Sequence, residues 1–524
     1  MSEFNGILTL TVFLPALAGL VILLVKPLQL EDRIIRWFAI VSTVVTFVLT
    51  LIVFLAYDRD AGGVQFIDHL SWLSAETIKS SYLLGVDGLS APLVLLTGLL
   101  GMAAAFASRN IGLRVSEYFI WLLLLETAVM GVFVSLDLLL FFVFFEFEVI
   151  PMFMLISLWG SGRPRYSAMK FVLYTLAGGA FMFVGIFAVY LTGAVDTLTM
   201  VPVPELGIVG IADQIAGVDL IAPASLIFAF FFVAFAVKLP IWPLHNWLPD
   251  AHTDAPTAVS VMLAGVLLKM AGYGMIRINI GFFQETKGFT VHDAAGILSV
   301  IAAVSVVYGA IVTIRQTDMK RLIAYSSVSH MGFVLLGLTA IAGIQQETEF
   351  GRDVALGGIN GAALQMFTHG TITGLAFLMV GLAYDRTHTR HIPHLGGLWR
   401  RMPVIGIFFF IAGFASLGLP ALSGFVSEIM VFLNSFPVWP WAASISAFGV
   451  VLAAGYVLWM IQRTFFGSKP PEGGIPDDKY EELTDAEPLD LIPILVLTIP
   501  IFVIGIWPKV VVDVFKIGIE GILR

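Results

Sequence analysis

Cysteine is absent from this 524-residue chain, and charge is scarce: Asp, Glu, Lys and Arg together make up 12% of it. The first absence excludes disulfides and cysteine-ligated iron–sulfur clusters. The second, set beside 58% hydrophobic residues, excludes an ordinary soluble domain. The mean hydropathy is +0.95. Ten-residue alternating patterns are missing, which argues against a β-barrel. No phosphate-binding loop and no nucleophile–base motif occurs. Nucleic acid is not an expected partner. The uncharged-to-acidic start, MSEFNG, does not resemble a cleaved signal or a transit peptide.

What is present is a succession of apolar stretches of about 20 residues, the length that spans a bilayer core as a helix. The expected fold is an all-α polytopic membrane protein with about 14 transmembrane helices. Their bounds read 5–25, 34–57, 81–107, 115–134, 138–159, 168–193, 222–250 (broken), 256–278, 294–314, 322–343, 357–384, 403–435 (broken), 441–464 and 489–507. An even number puts both termini on one side. With that side outside, the inner loops hold 18 Lys and Arg, and the outer loops and tail hold 8, with Lys79, Lys469 and Arg524 in the tally. The excess fits the positive-inside rule. Lys238 and Lys269 belong to neither side.

A low-resolution repeat is legible. Leu239-Pro240 and Leu419-Pro420 each break a long apolar run, 180 residues apart. Spans four and nine begin near 115 and 294, almost the same offset. A unit of five helices is odd, so the second copy enters the membrane inverted, a pattern that places ion sites at broken helices near the midplane. The expected organisation is 1–114 as a three-helix segment, 115–293 and 294–464 as the two five-helix repeats, 465–488 as an inner loop, and 489–524 as a last helix and tail.

Ionisable groups inside these spans cost a few kcal/mol each and persist when paired, hydrated or used. Glu146 lies about 12 Å into its span. Glu148, two residues on, points about 200° away around the helix, so the two cannot face the same partner. Glu146 reads as the functional acid, and Glu148 as a contact to a neighbouring helix or subunit. Lys269 is the deepest cation. Lys238 precedes a proline that removes one backbone donor and frees the carbonyl four residues back, so a hydrated pocket is expected there. His245 and His252 follow the break as inner-side relay groups or satisfied interface histidines. His330 and His369 sit inside spans ten and eleven, and Glu428 follows the second break. Acid, base, base, imidazole, imidazole, acid is the inventory of a proton relay. Glu126 reads as a pairing acid, Asp137 as interfacial, and His388, His391 and His394 as a solvated loop cluster. No metal site is expected.

Four stretches carry a resemblance over essentially the whole chain: FFEFEVIPMFMLISLWG, KLPIWPLHNWLPDAHTDAPTAVSVMLAGVLLKMAGYGMIRI, DMKRLIAYSSVSHMGF and GFVSEIM. The chain resembles the M-type, antiporter-like subunits of proton-pumping NADH:quinone oxidoreductase, respiratory complex I, whose mitochondrial counterpart is subunit 4. The resemblance implies that Glu146 pairs with Lys238, that Lys269 is the central membrane lysine, that His330 and His369 are relay positions, and that Glu428 is the outlet acid. A glutamate there marks the M-type, where L- and N-type relatives place a lysine. The length leaves no room for the lateral C-terminal helix of the L-type. Implied partners are the L-type, N-type and other membrane-arm subunits, the lipid bilayer and protons. FMN, iron–sulfur clusters, NADH and quinone are expected in partner subunits and no cofactor in this chain. The implied location is a bacterial cytoplasmic membrane with periplasmic termini. Mrp-type sodium/proton antiporters and membrane-bound hydrogenases share the core and stand as alternatives, as does a structural subunit that transports nothing.

Overall fold

The computed structural model describes residues 5–75, 78–192, 195–346, 348–468 and 474–523. Lys469 and Arg524, and the side chain of Lys79, lie outside the described residues. The chain is an all-α membrane protein, with eleven helices among the described residues that are individually long and apolar enough to cross a bilayer. In order, the helices are α1 Ile7–Val25, α2 Asp32–Ala56, α3 Ser90–Ala107, α4 Val115–Val134, α5 Leu138–Phe147, α6 Val149–Trp159, α7 Pro164–Tyr190 and a short α8 Ile211–Ile215. Then come α9 Ala224–Lys238, α10 Trp247–Asp254, and α11 Thr257–Met262 with α12 Leu268–Gly274, which run as one rod from Thr257 to Ile280. The second half holds α13 Val291–Ile314, α14 Met319–Thr339, α15 Glu349–Thr387, α16 Pro403–Ser416, α17 Ser423–Ser435, α18 Pro440–Phe465, α19 Asp477–Glu481, α20 Leu491–Ile506 and α21 Lys509–Ile522.

The expected 14 includes the two broken spans. There α9 and α16 have 15 and 14 residues, about 22 Å each at 1.5 Å per residue, short of a full crossing on their own. Three boundaries differ from expectation. Residues assigned to the start of the third span form a strand instead. β1 Gln65–Ala75 pairs antiparallel with β2 Ile78–Val86, and α3 begins only at Ser90. The eleventh expected span, α15, is longer, at 39 residues. Beyond α20 the tail is a further helix, α21, bent by 78° from it.

The turns are set by local chemistry. Asp137 opens α5: its Oδ1 accepts from the backbone N–H of Leu139 and Leu140, at 3.0 and 3.1 Å. It also accepts from Ser80 Oγ at 2.8 Å, tying the hairpin to that turn. Thr290 and Asp293 form a reciprocal capping box at the start of α13.

The breaks follow from prolines. Pro151 cannot donate to Phe147, and α5 ends there. Pro240 frees the carbonyl of Ala236, which accepts from Ile241 N at 3.1 Å, while Val237 O accepts from Trp247 Nε1 at 2.8 Å. Protein donors therefore answer the carbonyls where the sequence led us to expect a hydrated pocket. At the second break Leu419 N donates to Phe414 O at 3.0 Å, also five residues back, and Gly418 takes φ +75° to turn the chain.

Opposite the hairpin, Asp490 clamps the start of α20 to two other helices. Its carboxylate accepts from Arg109 Nη1 at 2.6 Å and from Arg386 Nη2 at 2.9 Å. Burial pushes this carboxyl up, but the hydrogen bonds from Arg109, Glu487 N and Arg386 outweigh it and hold the group below the usual carboxylate range. A depressed folded value contributes stability above about pH 4 that fades as pH falls through it. Asp490→Asn is expected to cost about 1.5–3 kcal/mol at pH 7, the range for hydrogen bonds to a charged group. In thermal unfolding of the detergent-solubilised protein, the difference from the unmodified chain should close on acidification.

Candidate functional site

The site is a row of buried ionisable side chains on five helices. It begins at the single residue between α5 and α6, Glu148. Glu148 is fully buried there and its Oε1 lies 2.8 Å from Lys238 Nζ. The same ammonium donates to Phe145 O at 2.5 Å and stands 3.5 Å from the centroid of the Phe145 ring. Lys238 thus ends α9 between a carboxylate, a carbonyl and an aromatic face.

The expected pairing of Glu146 with Lys238 is corrected by this geometry. Phe141, Phe144, Phe145, Glu148, Met152 and Leu155 all point inward, three or four residues apart as one helical face requires. Val143, Phe147 and Ile150 are exposed on the opposite stripe. Glu146 falls on that stripe. It is half-buried, and its Oε1 lies so near Gly179 of α7 that a Cβ there would meet it at 2.3 Å. Glu148 makes the ion pair with the lysine of a neighbouring helix, and Glu146 sets its carboxyl against α7.

Lys269 has no solvent exposure. It follows a π-helical turn, Leu263–Leu267, and its ammonium donates to the Ala264 carbonyl within that turn. Such a bulge re-aims a side chain and loosens a backbone carbonyl at once. Lys269 Nζ also lies 2.9 Å from His369 Nδ1 on α15. The break after Lys238 packs on this rod, since Leu239 reaches Gly272.

From His369 the row continues without leaving the protein. The His369 and His330 rings have centroids 5.5 Å apart. His330, on α14, sets Nδ1 3.6 Å from Glu428 Oε1 on α17 and Nε2 3.1 Å from Ser416 Oγ at the end of α16. Glu428 Oε2 lies close against Gly418, so the second broken helix cradles this acid. Four of the expected residues are therefore brought into one line: Lys269, His369, His330 and Glu428.

The two histidines after the first break part company. His252 is fully buried, stacks flat on Phe377 at 4.6 Å, and neither ring nitrogen has a hydrogen-bond partner among the described residues. His245 lies against Tyr308 at 5.1 Å, with Nδ1 unpartnered. Glu126, expected to pair, sets its carboxyl against Gly101 and its Oε1 meets no donor. Asp137 is the helix cap described above. The rings of His391 and His394 meet at 4.6 Å, and among the described residues no three His, Asp or Glu side chains converge as metal ligands.

The same helical frame appears in known proteins. The family model described as "NADH:quinone oxidoreductase/Mrp antiporter, TM" matches residues 135–453. The NADH-quinone oxidoreductase subunit M of Rhodobacter capsulatus is 39% identical over 527 residues, covering 99% of this chain and 97% of that protein. The chain belongs to the NADH:quinone oxidoreductase/Mrp antiporter family. The NAD(P)H-quinone oxidoreductase chain 4 1 of Synechococcus elongatus is 38% identical over 517 residues, with 97% and 90% covered. Among solved structures, a chain of respiratory complex I from Thermus thermophilus with bound NADH superimposes with a TM-score of 0.81 at 27% identity, covering 99% of this chain and 100% of that one. A chain of the Mrp complex from Dietzia shares the fold, with a TM-score of 0.78 at 19% identity.

Within this family fold, several polar groups at the site were not singled out by sequence reasoning. Lys320 was counted as a loop cation. It is buried at the start of α14, where Nζ donates to Ala255 O at 2.7 Å. It lines a cavity of about 450 Å³ with Ser108, Tyr118, Asp385, His388 and Arg390. Ser416 meets His330, and Thr368 and Ser427, the chain neighbours of His369 and Glu428, meet each other, with Ser427 donating to Gln365. The signal for Lys320 was its place one residue after Asp318-Met319, inside a helix that Asp318 caps through Arg321 N.

Removing one partner of a buried ion pair leaves an uncompensated charge, at a cost of about 3–5 kcal/mol. Glu148→Gln is therefore expected to impair assembly and proton pumping more than Glu146→Gln does, scored by complex yield and by acidification of NADH-energised vesicles. The reverse ranking would return Lys238 to Glu146.

Proposed function

We propose that this chain is a proton-translocating membrane-arm subunit of a NADH:quinone oxidoreductase. Protons pass through Lys269, His369, His330 and Glu428, and the Lys238–Glu148 pair controls their release. The observation that carries this reading is the 2.9 Å approach of Lys269 Nζ to His369 Nδ1, continued through His330 to Glu428. A buried lysine exchanges its proton readily when its surroundings disfavour charge. Imidazole passes a proton between its two nitrogens, which suits it to a middle position. A water bridging the two imidazoles would complete the hop between their rings.

Control comes from charge. A lysine ammonium paired to Glu148 presents little net field to Lys269. Freed of Glu148, it repels a second ammonium. At an effective dielectric near 20, two unit charges about 8 Å apart interact by roughly 2 kcal/mol, more than one pKa unit. Opening the pair therefore drives the Lys269 proton toward His369, and closing it permits reloading. The pair is expected to open under the influence of a neighbouring subunit.

Reloading comes from the cavity lined by Lys320, with His252 as the inner-side relay, while His245 packs on Tyr308 instead. The relay needs no redox group of its own. FMN, iron–sulfur clusters, NADH and quinone belong to partner subunits of the oxidoreductase, and the L-type and N-type subunits are its neighbours in the arm. Counting each broken helix as one crossing, the proposed fourteen crossings leave both termini on one side, and the excess of Lys and Arg in the inner loops supports the periplasmic side of a bacterial cytoplasmic membrane, with two inverted five-helix halves at 115–293 and 294–464.

Two measurements test this. Lys269→Ala in the assembled complex is expected to abolish NADH-driven proton pumping into reconstituted vesicles with or without sodium. Normal proton-to-electron stoichiometry in that variant would take Lys269 out of the path. The absence of cysteine makes the orientation readable by single labels. Ala61→Cys, in the exposed turn before the hairpin, should react with an impermeant maleimide from the periplasmic side and Thr484→Cys from the cytoplasmic side.

A further inference from the structure

A second cluster of buried charge lies apart from the row just described. On the rod from Thr257 to Ile280, Arg277 stands eight residues beyond Lys269, about 12 Å further toward the hairpin. It is 1% exposed. Its Nη2 reaches Asp87 Oδ2 at 2.5 Å, and its Nε donates to the Tyr273 hydroxyl at 3.2 Å. The Tyr273 hydroxyl donates to Phe133 O at 3.4 Å. Asp87 is held in turn by the start of α3, with Oδ1 accepting from Leu89 N and Ser90 N at 3.1 and 3.0 Å. Arg277 Nη1 meets no acceptor among the described residues.

The space between this cluster and the two lysines is aromatic. Phe145, whose ring lies under Lys238, stacks on Phe141 at 5.5 Å. Phe141 meets Tyr273 at 6.3 Å, and Tyr273 meets Phe133 edge-on at 5.5 Å. Phe235 closes on both Phe141 and Phe145.

We propose that Arg277, fixed by Asp87 behind this aromatic layer, is an electrostatic seal. It prevents protons on Lys269 from escaping along their own helix to the hairpin side and so commits them to His369. The proposal rests on the transport reading above. Its chemistry is specific to arginine. A guanidinium does not deprotonate in proteins, so it cannot serve as a relay step as lysine or histidine can. A fixed cation in a narrow path excludes protons, as positively charged constrictions do in channels. One carboxylate, itself shared with two backbone N–H groups, answers part of the guanidinium, and the free Nη1 leaves positive field on the path.

The test uses membrane vesicles carrying the assembled complex and two readouts: passive collapse of an imposed pH gradient without NADH, and NADH-driven pumping. Asp87→Asn keeps the cation and should leave the vesicles tight. Arg277→Gln combined with Asp87→Asn removes both charges, shortening only the first side chain, and should collapse the gradient about tenfold faster, with NADH oxidation retained. A merely structural pair predicts that the two variants behave alike. Tight vesicles and normal stoichiometry in the double variant would overturn the seal while leaving the transport reading intact. Failure of the unmodified complex to pump would instead sink that reading. Should the double variant not assemble, Arg277→Lys carries the decision: a leak through this titratable cation supports the arginine-specific seal, and vesicles as tight as the unmodified ones refute it.

Discussion

An ammonium group with no access to solvent, held by one imidazole nitrogen and one backbone carbonyl, is the constraint on which the structure turns. In hydrocarbon such a group has no favourable surroundings except those the protein builds. Several features are accounted for by that need. The π turn before Lys269 supplies the carbonyl. The long helix α15 supplies His369 at the depth of the lysine. The second broken helix supplies the glycine cradle that lets Glu428 approach His330. Each is a departure from a regular apolar rod, and each occurs where a charge must be met.

The two broken helices share one solution. Each ends at a Leu-Pro pair, and in each the chain closes the gap with a backbone hydrogen bond spanning five residues. The break shortens the helix and sets an ionisable group beside the turn: Lys238 in the first half, Glu428 in the second. One is met by an acid two helices away, the other by a histidine. The same backbone device thus carries a cation at one end of the row and an anion at the other.

Much of this was legible in the sequence, and the rest was hidden for a definite reason. Depth along a helix can be read from position, so Lys269, His330, His369 and Glu428 were identifiable as buried. The prolines announced the breaks. Rotation around a helix is harder to read in a membrane, because lipid-facing and protein-facing positions are both apolar. In α5 and α6 every neighbour of the two glutamates is hydrophobic, so the polar-outside rule that orients a soluble helix gives no phase. That is why the pairing with Lys238 is expected of Glu146 from the sequence and is made by Glu148 in the structure, although their 200° separation is legible. The strand β2 was read as the start of a helix for a related reason: YLLGV is as apolar as the α3 segment it precedes. Lys320 and Arg277 sit near helix ends, where a cation ordinarily reaches the interface; the Asp318 cap places Lys320 within α14, and only tertiary packing then encloses the two side chains.

The contact between α21 and the start of α3 bears on how the chain is made. Gly518 lies directly over Gly88 and Leu89, so close that a Cβ on it would stand 2.1 Å from the Leu89 nitrogen. The start of the third long helix leaves the ribosome early, and part of its seat is filled only by α21, far along the chain. Folding of this flank therefore waits on a late element docking onto an early one, and loss of α21 would open the backbone at Gly88 and Leu89 to any protease that surveys the membrane.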